Sequence, residues 1–391
     1  MAADWAGLPP DLLRSIADKL TLLIDYVRFR AVCSNWRSSA PTTPSRLPFQ
    51  LPWLMLPHHH HHRRRRGFFS LAANKVYFLY LPETANRRRS RGSSLGWLLI
   101  LDECPDILLL NPLTRAKLHL PPLSAFPNVV NFSFRDIGRE YTVRARNGDI
   151  FSHNLAYMRD YFVKKVVLSS SPSNQNFIAL AILNQTGDLA FCKKGDQSWK
   201  FIEDAQSYGE DAIYHNGLFY AVNKFGQIAV CDVHGESPRV SLIETPTQVG
   251  GDMQYLVSSS KGFLLVTRYL DFDLNDHQID IVYKTAQFRV YKLDLSGPNW
   301  ERVTSLDDEM LFLGENSSLA LSALDFPGCK GNCIYYTDDY SESDYDGISG
   351  GHDLGVYNLE DGSIEPLPCY PRNFPSPPRW PPPIWITPNP C

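Results

Sequence analysis

Apolar residues fall into two regimes along the chain. Over residues 8–20, LPPDLLRSIADKL, Leu12, Leu13, Ile16, Ala17 and Leu20 recur at helical spacing behind a pair of prolines, which predicts a helix with proline in its first turn. A second helical pattern runs from about Leu22 to Ser39, with Phe29, Val32, Cys33 and Trp36 on one side and Arg28, Arg30, Asn35 and Arg37 elsewhere, until Pro41 and Pro44 end it. From Phe49 onward short runs rich in Val, Ile, Tyr and Phe are broken by Gly, Pro, Asn and Asp, which predicts strands in several small sheets.

The strand region repeats one unit: two apolar strands, a third strand, a Gly/Pro/Asp turn and a fourth strand. FIALAIL, DLAFCKKGD and SWKFIE make one copy, and GLFYAVNKFG, IAVCDVHGESP and RVSLIE the next. GFLLVTRYL, FRVYKLDLSGP and NWERVTSL follow, then CIYYTDDY, LGVYNLEDG and SIEPLP; GWLLILDE, DILLLNPLT and AKLHLPPL precede them all. Turns before the last strands sit near Pro112, Gly195, Gly235, Gly297 and Gly362, and the shortest interval of 40 residues matches a four-stranded propeller blade. Residues 49–82 supply strands for one more blade without an evident full set, which makes six; seven would follow if Asn131 to Phe151 formed a blade of their own. The lone strand IWIT, Ile384–Thr387, is the expected missing strand of that first blade, pairing with the WLMLP or KVYFLYL region. The fold class expected is mainly β: an N-terminal α-helical module, residues 1–44, followed by a kelch-like β-propeller of about six blades over 45–391. A β-sandwich is the alternative that the recurring third strand and turn disfavour.

Two or three helices in about forty residues cannot bury their own apolar faces, so either the propeller or a partner covers them. LPPDLLRSIADKL followed by DYVRFRAVCSNWRS resembles the F-box, the helical motif that binds the Skp-type adaptor of SCF (cullin-RING) ubiquitin ligases. Leu8, Pro9, Leu12, Ile16, Val32, Cys33, Trp36 and Arg37 stand where that motif has them. The resemblance covers residues 5–40 and implies an adaptor-binding surface of Leu8, Pro9, Leu12, Ile16, Val32, Cys33 and Trp36. RGSSLGWLLILDE, ILLLNPLTRAKLHLPPL, KKVVLSSSPS, LAFCKKGDQSWKFIE and PPPIWITPNP are in turn similar to the KIB-type β-propeller of plant F-box proteins. That likeness implies a receptor for a protein substrate.

Charge changes the picture only locally. The formal net charge is −4, yet His58–Arg91 carries eight Arg and one Lys against Glu83 alone, so an acidic body with one basic insertion is expected rather than a nucleic-acid-binding face. HHHHHRRRR, His58–Arg66, and RRRSR, Arg87–Arg91, are expected to be solvated loops, with nuclear import as a use for them. No membrane span and no signal peptide are expected, and the eight cysteines, without a CxxC pair, are expected to be reduced thiols. A nuclear or cytoplasmic location, or both, follows.

Candidate chemistry is sparse. GSSLG, Gly92–Gly96, fits the string of a nucleophile elbow with Ser94 at its centre, but that motif needs a strand before and a helix after, so a turn into a strand is expected. CKGNC, Cys329–Cys333, lacks a second close ligand pair for zinc. No catalytic residue, cofactor or metal is expected. The acidic stretches around Asp271, Asp273, Asp276 and Asp280 and from Asp338 to Asp353 (Asp338, Asp339, Asp344, Asp346) are expected as inter-strand loops able to hold a basic segment of a substrate. The function expected is the substrate-recognition subunit of an SCF-type ubiquitin ligase, with the Skp-type adaptor, cullin through it, and an unknown protein substrate as partners. The alternatives are a propeller enzyme or glycan-binding protein with padding helices, and an adaptor-bound scaffold that blocks a partner without ubiquitylating it.

Overall fold

The computed structural model describes residues 4–41, 44, 48–57, 64–85, 88–174, 176–243, 245, 250–273, 282–293, 300–326, 328–340, 353–370 and 382–389. Three short helices come first: α1 (Pro10–Ala17), α2 (Leu23–Ala31) and α3 (Ser34–Ser39). The single helical pattern expected over Leu22–Ser39 is thus two helices. Cys33 between them is extended, at φ −159° and ψ 177°, and the break turns Trp36 back onto Phe29, with ring centroids 4.5 Å apart.

All strands after that belong to small sheets. The first contains β1 (Trp53–Met55), β2 (Arg65–Ser70) and β3 (Lys75–Tyr80); the second β4 (Arg89–Ser94), β5 (Trp97–Leu101), β6 (Ile107–Leu110) and β7 (Lys117–Leu120). A three-stranded sheet follows, β8 (Val129–Phe132), β9 (Tyr141–Arg144) and β10 (Ile150–His153). Then come β11 (Val163–Leu168), β12 (Ile178–Leu183), β13 (Leu189–Lys193) and β14 (Lys200–Phe201), and next β15 (Asp211–His215), β16 (Leu218–Val222), β17 (Ile228–Asp232) and β18 (Arg239–Ile243). A fifth four-stranded unit has β19 (Met253–Ser259), β20 (Gly262–Asp273), β21 (Val282–Leu293) and β22 (Trp300–Val303). The last sheet has β23 (Glu309–Leu313), β24 (Leu319–Ser322), β25 (Cys333–Tyr336), β26 (Gly355–Asn358) and β27 (Ile364–Glu365), in the order β24-β23-β25-β26-β27 with β23 and β25 parallel. Finally β28 (Ile384–Ile386) returns to the first sheet, antiparallel to β1, with Leu54 opposite Trp385.

The propeller therefore has six blades, and its first is completed by the C-terminal strand. The sheet at 129–153 is not a seventh. Arg91 Nε on β4 donates to Val163 O at 3.1 Å, and Leu168 N donates to Ser94 Oγ at 3.1 Å, so β4 and β11 lie side by side and leave no place between them in the ring. The three-stranded sheet instead packs outside, Tyr141 and Val143 joining the core formed by Leu101, Ile107, Phe162 and Trp199 of the flanking blades. Its short strands and polar turns are too few to wedge apart two blades whose inner strands already hydrogen-bond through side chains.

Turn chemistry explains why the repeat was readable. Gly195, between β13 and β14, and Gly362, between β26 and β27, adopt φ of 93° and 70°, where a side chain is strained. The elbow-like string at Gly92–Gly96 is a hairpin turn: strands lie on both sides, Leu95 and Gly96 carry φ of 51° and 82°, and Ser94 is a buried strand residue.

The arginine clusters are the largest departure from expectation. Arg89 and Arg91 are not in a solvated loop; they lie inside β4, at 4% and 2% exposure, with Arg91 Nη1 3.2 Å and Arg89 Nη2 3.7 Å from the Glu315 carboxylate. Arg65 and Arg66 likewise belong to β2, and burial lowers the pKa of the Arg66 guanidinium to about 10. Residues 58–63, including the histidines, lie outside the described residues, as do residues 86–87. A strand that faces a buried carboxylate more than two hundred residues away can accept arginine, and nothing local announces that partner.

A second buried ion pair ties the inner strands together. Lys165 Nζ on β11 lies 2.6 Å from Asp211 Oδ1 at the start of β15; Asp211 Oδ2 accepts from Leu256 N on β19 at 3.1 Å and from Ser318 Oγ of the last blade at 2.8 Å. One fully buried carboxylate thus joins four blades. Asp211→Ala strands the Lys165 cation and two donors in the interior, an expected loss of about 3–5 kcal/mol. Denaturant unfolding should show it, and adding Lys165→Met should recover part of the loss because no buried charge then remains. Equal stability of Asp211→Ala and the parent would contradict the role assigned to this carboxylate.

Candidate protein-binding surfaces

The helical module divides its apolar residues between two faces. Leu13 and Ala17 of α1 turn inward onto Tyr26, Phe29 and Ala40, whereas Leu12 and Ile16, one position earlier in each turn, are 54% and 40% exposed. Val32 is 57% exposed and Pro9 is open to solvent, while Leu8 is half-buried against the module core. The residues assigned to an adaptor surface are therefore not one stripe. Leu12, Ile16, Val32 and Pro9 face solvent; Cys33 is half-buried; and Trp36 packs on Phe29 and donates its Nε1 hydrogen to Trp5 O at 2.9 Å. Asn35 Nδ2 adds bonds to Ala6 O and Leu8 O at 2.9 and 3.1 Å, so α3 holds the segment that precedes α1.

The module is seated on the first blade by its other side. Gln50 accepts from Leu23 N at 2.9 Å and donates to Thr21 O at 3.0 Å, Ile24 packs on the core around Trp53 and Leu81, and the Arg28 guanidinium lies 5.6 Å from the Tyr77 ring centre. Ile24 is thus taken up by the first blade, while Leu12, Ile16 and Val32 remain exposed.

The acidic residues proposed for a substrate are distributed differently from a pair of solvated loops. Asp271 and Asp273 lie within β20, which runs beyond its blade as a long hairpin with β21; Asp271 stands opposite Lys284 and is exposed. Asp338 is buried and the side chain of Asp339 is only 7% exposed: Tyr283 OH donates to Asp338 at 2.8 Å, and Asp339 accepts from Tyr255 OH at 2.8 Å. They turn inward because Arg268, fully buried on β20, must be neutralised. Its guanidinium meets Asp339 at 3.4 Å, Asp353 at 2.7 Å, Thr285 Oγ1 at 2.8 Å and the Tyr336 ring centre at 4.7 Å. Burial alone would lower the pKa of Arg268, but Tyr255, Asp353 and Asp339 more than offset that and hold it well above the ordinary value. Asp339 and Asp353 thus neutralise Arg268, and Asp338 is held beside them by Tyr283. Asp276, Asp280, Asp344 and Asp346 lie outside the described residues.

Sequence reading missed Arg268, the Lys165–Asp211 pair and a cleft beside β10. The first had a signal: one arginine inside the apolar run GFLLVTRYL requires carboxylates in the fold. The described cysteines are all unpaired with one another, and burial pushes the thiols of Cys231 and Cys369 up to about 12, which keeps them protonated and inert. Among the described residues no His, Cys, Asp or Glu group is arranged to hold a metal ion, and no helix is long and apolar enough to cross a membrane.

Comparison with known proteins matches residues 5–44 to the F-box domain and residues 68–358 to the KIB1-4 β-propeller. Over nearly its whole length the chain is similar to F-box protein SKIP23 of Arabidopsis thaliana, at 30% identity over 411 aligned residues, 98% of this chain and 96% of that one. It is similar also to F-box protein At2g17036 of the same plant, at 28% identity, covering 98% of this chain and 95% of that one.

Proposed function

Because this chain belongs to the family of F-box proteins that carry a KIB1-4 β-propeller, we propose that it is the substrate receptor of an SCF-type ubiquitin ligase, docking on a Skp-type adaptor through its helices and presenting a protein substrate on its propeller. The observation that supports this reading is the helical module itself: Ile24 packs on the first blade, while Leu12, Ile16 and Val32 stay exposed although they are apolar. Such a receptor accelerates ubiquitin transfer by holding its substrate near the charged enzyme brought by the other subunits, so the rate gain comes from proximity and no side chain of this chain takes part in bond making. Work of this kind belongs in the nucleus, the cytoplasm or both.

The test is a reconstituted assay. Partners captured by the full-length protein are presented with adaptor, cullin, RING subunit and charged conjugating enzyme, and ubiquitin transfer is followed by immunoblot. Transfer that requires this protein is the expected result. A partner that is held alongside adaptor and cullin but gains no ubiquitin would replace the reading with that of a blocking scaffold.

A further inference from the structure

The three-stranded sheet outside the ring has two features that the receptor reading does not use. Its edge strand β10 has no further strand beside it among the described residues. Ala145 N donates to Asp149 O at 2.8 Å, and because hydrogen-bonded and non-bonded pairs alternate along an antiparallel ladder, Ile150 and Ser152 turn their N–H and C=O groups away from β9. β10 ends the sheet, both residues are exposed, and the strand contains neither the lysine nor the proline that commonly guards an edge.

The second feature is a cleft of about 480 Å³, its open mouth included, between this sheet and the third blade. Val143, Phe162 and Leu183 give it an apolar lining, and Phe151 and His153 of β10 form a wall with Tyr157, whose ring stacks on His153 with centroids 4.2 Å apart. Burial holds the His153 imidazole below its ordinary pKa, so this wall is uncharged at neutral pH. Two polar groups are left over. Asn128 Oδ1 is buried without a hydrogen-bond partner, and Arg144, exposed at the cleft, has no carboxylate partner among the described residues.

We propose that this sheet is the substrate-recognition site, taking an extended peptide segment that adds to the edge of β10, places a tyrosine or tryptophan in the cleft and sets a neighbouring carboxylate against Arg144. A strand added to β10 puts the residues opposite Phe151 and His153 on the same face as those two side chains, the face from which the cleft opens. A tyrosine hydroxyl or tryptophan N–H supplies the donor that Asn128 Oδ1 lacks while its ring fills the aromatic wall; phenylalanine fills the wall and leaves the acceptor stranded. The Arg144 charge, without a carboxylate partner among the described residues, selects an acidic neighbour. The proposal rests on the receptor reading and adds the chemistry of the substrate.

The experiment uses the full-length protein bound to its adaptor and an array of ten-residue peptides in which one position samples all side chains and its neighbours sample Asp, Glu, Lys and Ser. Expected is selection of Tyr or Trp with an acidic residue within two positions, about tenfold weaker for Phe. Asn128→Ala should erase the preference of Tyr over Phe, Arg144→Glu should turn the acidic preference basic, and Ser152→Pro, which removes an edge donor, should weaken every peptide about tenfold or more. No selection by the parent, or selection unchanged in all three variants, overturns the proposal. The two readings fail separately. Partners captured and ubiquitylated equally by Arg144→Glu, Ser152→Pro and the parent would leave the receptor standing and remove the site; peptides selected as expected but never ubiquitylated when fused to a lysine-bearing carrier would do the reverse.

Discussion

Removal of Pro383–Cys391 is expected to open the propeller, lowering its melting temperature by ten degrees or more and driving the protein into aggregates that light scattering detects. β28 is the strand that joins the two ends of the chain in one blade, Leu54 opposite Trp385 and Met55 opposite Ile384. Without it β1 presents an unpaired edge of three buried apolar residues, a template for pairing with other chains. Trp385 does more than fill the blade. Only 1% exposed, it packs edge-on against Phe312 and near Tyr335 of the last blade, and its carbonyl accepts from Ser93 Oγ on the second. Trp385→Ala alone should cost about 3–5 kcal/mol, a large share of a typical folding free energy. The control is Trp300→Ala, on the outer strand β22 and half-buried, which should cost less than Trp385→Ala. A tail-deleted protein that melts with the parent and stays monomeric would mean that β28 does not hold the ring shut.

Loss of adaptor binding by at least a hundredfold is expected for Leu12→Asp combined with Val32→Asp, read by calorimetry against the purified Skp-type adaptor. Each side chain is more than half exposed in the free protein, so the substitutions leave the module core of Leu13, Tyr26 and Phe29 untouched. At an interface, burying a carboxylate where a leucine and a valine docked costs both the lost apolar contact and the desolvation of two charges, and about 3 kcal/mol already gives the hundredfold change. Trp36→Ala is the informative contrast. Trp36 props Phe29 and holds Trp5, so its truncation should weaken binding together with the helical signal in circular dichroism, whereas the double aspartate variant should keep that signal. Unchanged affinity in the double variant with the helices intact would move the adaptor surface elsewhere on the module.

What depended on neighbours in sequence was legible in the chain, and what depended on distant charges was not. The helical spacing behind Pro9 and Pro10, the turns at Gly195 and Gly362 and the unmatched IWIT run are local facts. Backbone sterics and the two-residue period of a strand determined the blades and even the identity of the closing strand. Tertiary structure decided the fate of nearly every charge. Arg89 and Arg91 read as a solvated basic loop until Glu315 is brought beside them, and Asp338 and Asp339 read as solvated acid until Arg268 is found between Asp339 and Asp353. It also decided that Val129–His153 stands outside the ring, because the side chains of β4 reach β11 directly, and that Leu12 is exposed while Leu13 is buried, since only packing on α2 and α3 chooses which half of a broad apolar arc turns inward. An isolated charge in a strand is tolerable only at the place where its counter-charge arrives, and that place is set by the closed propeller rather than by the residues on either side.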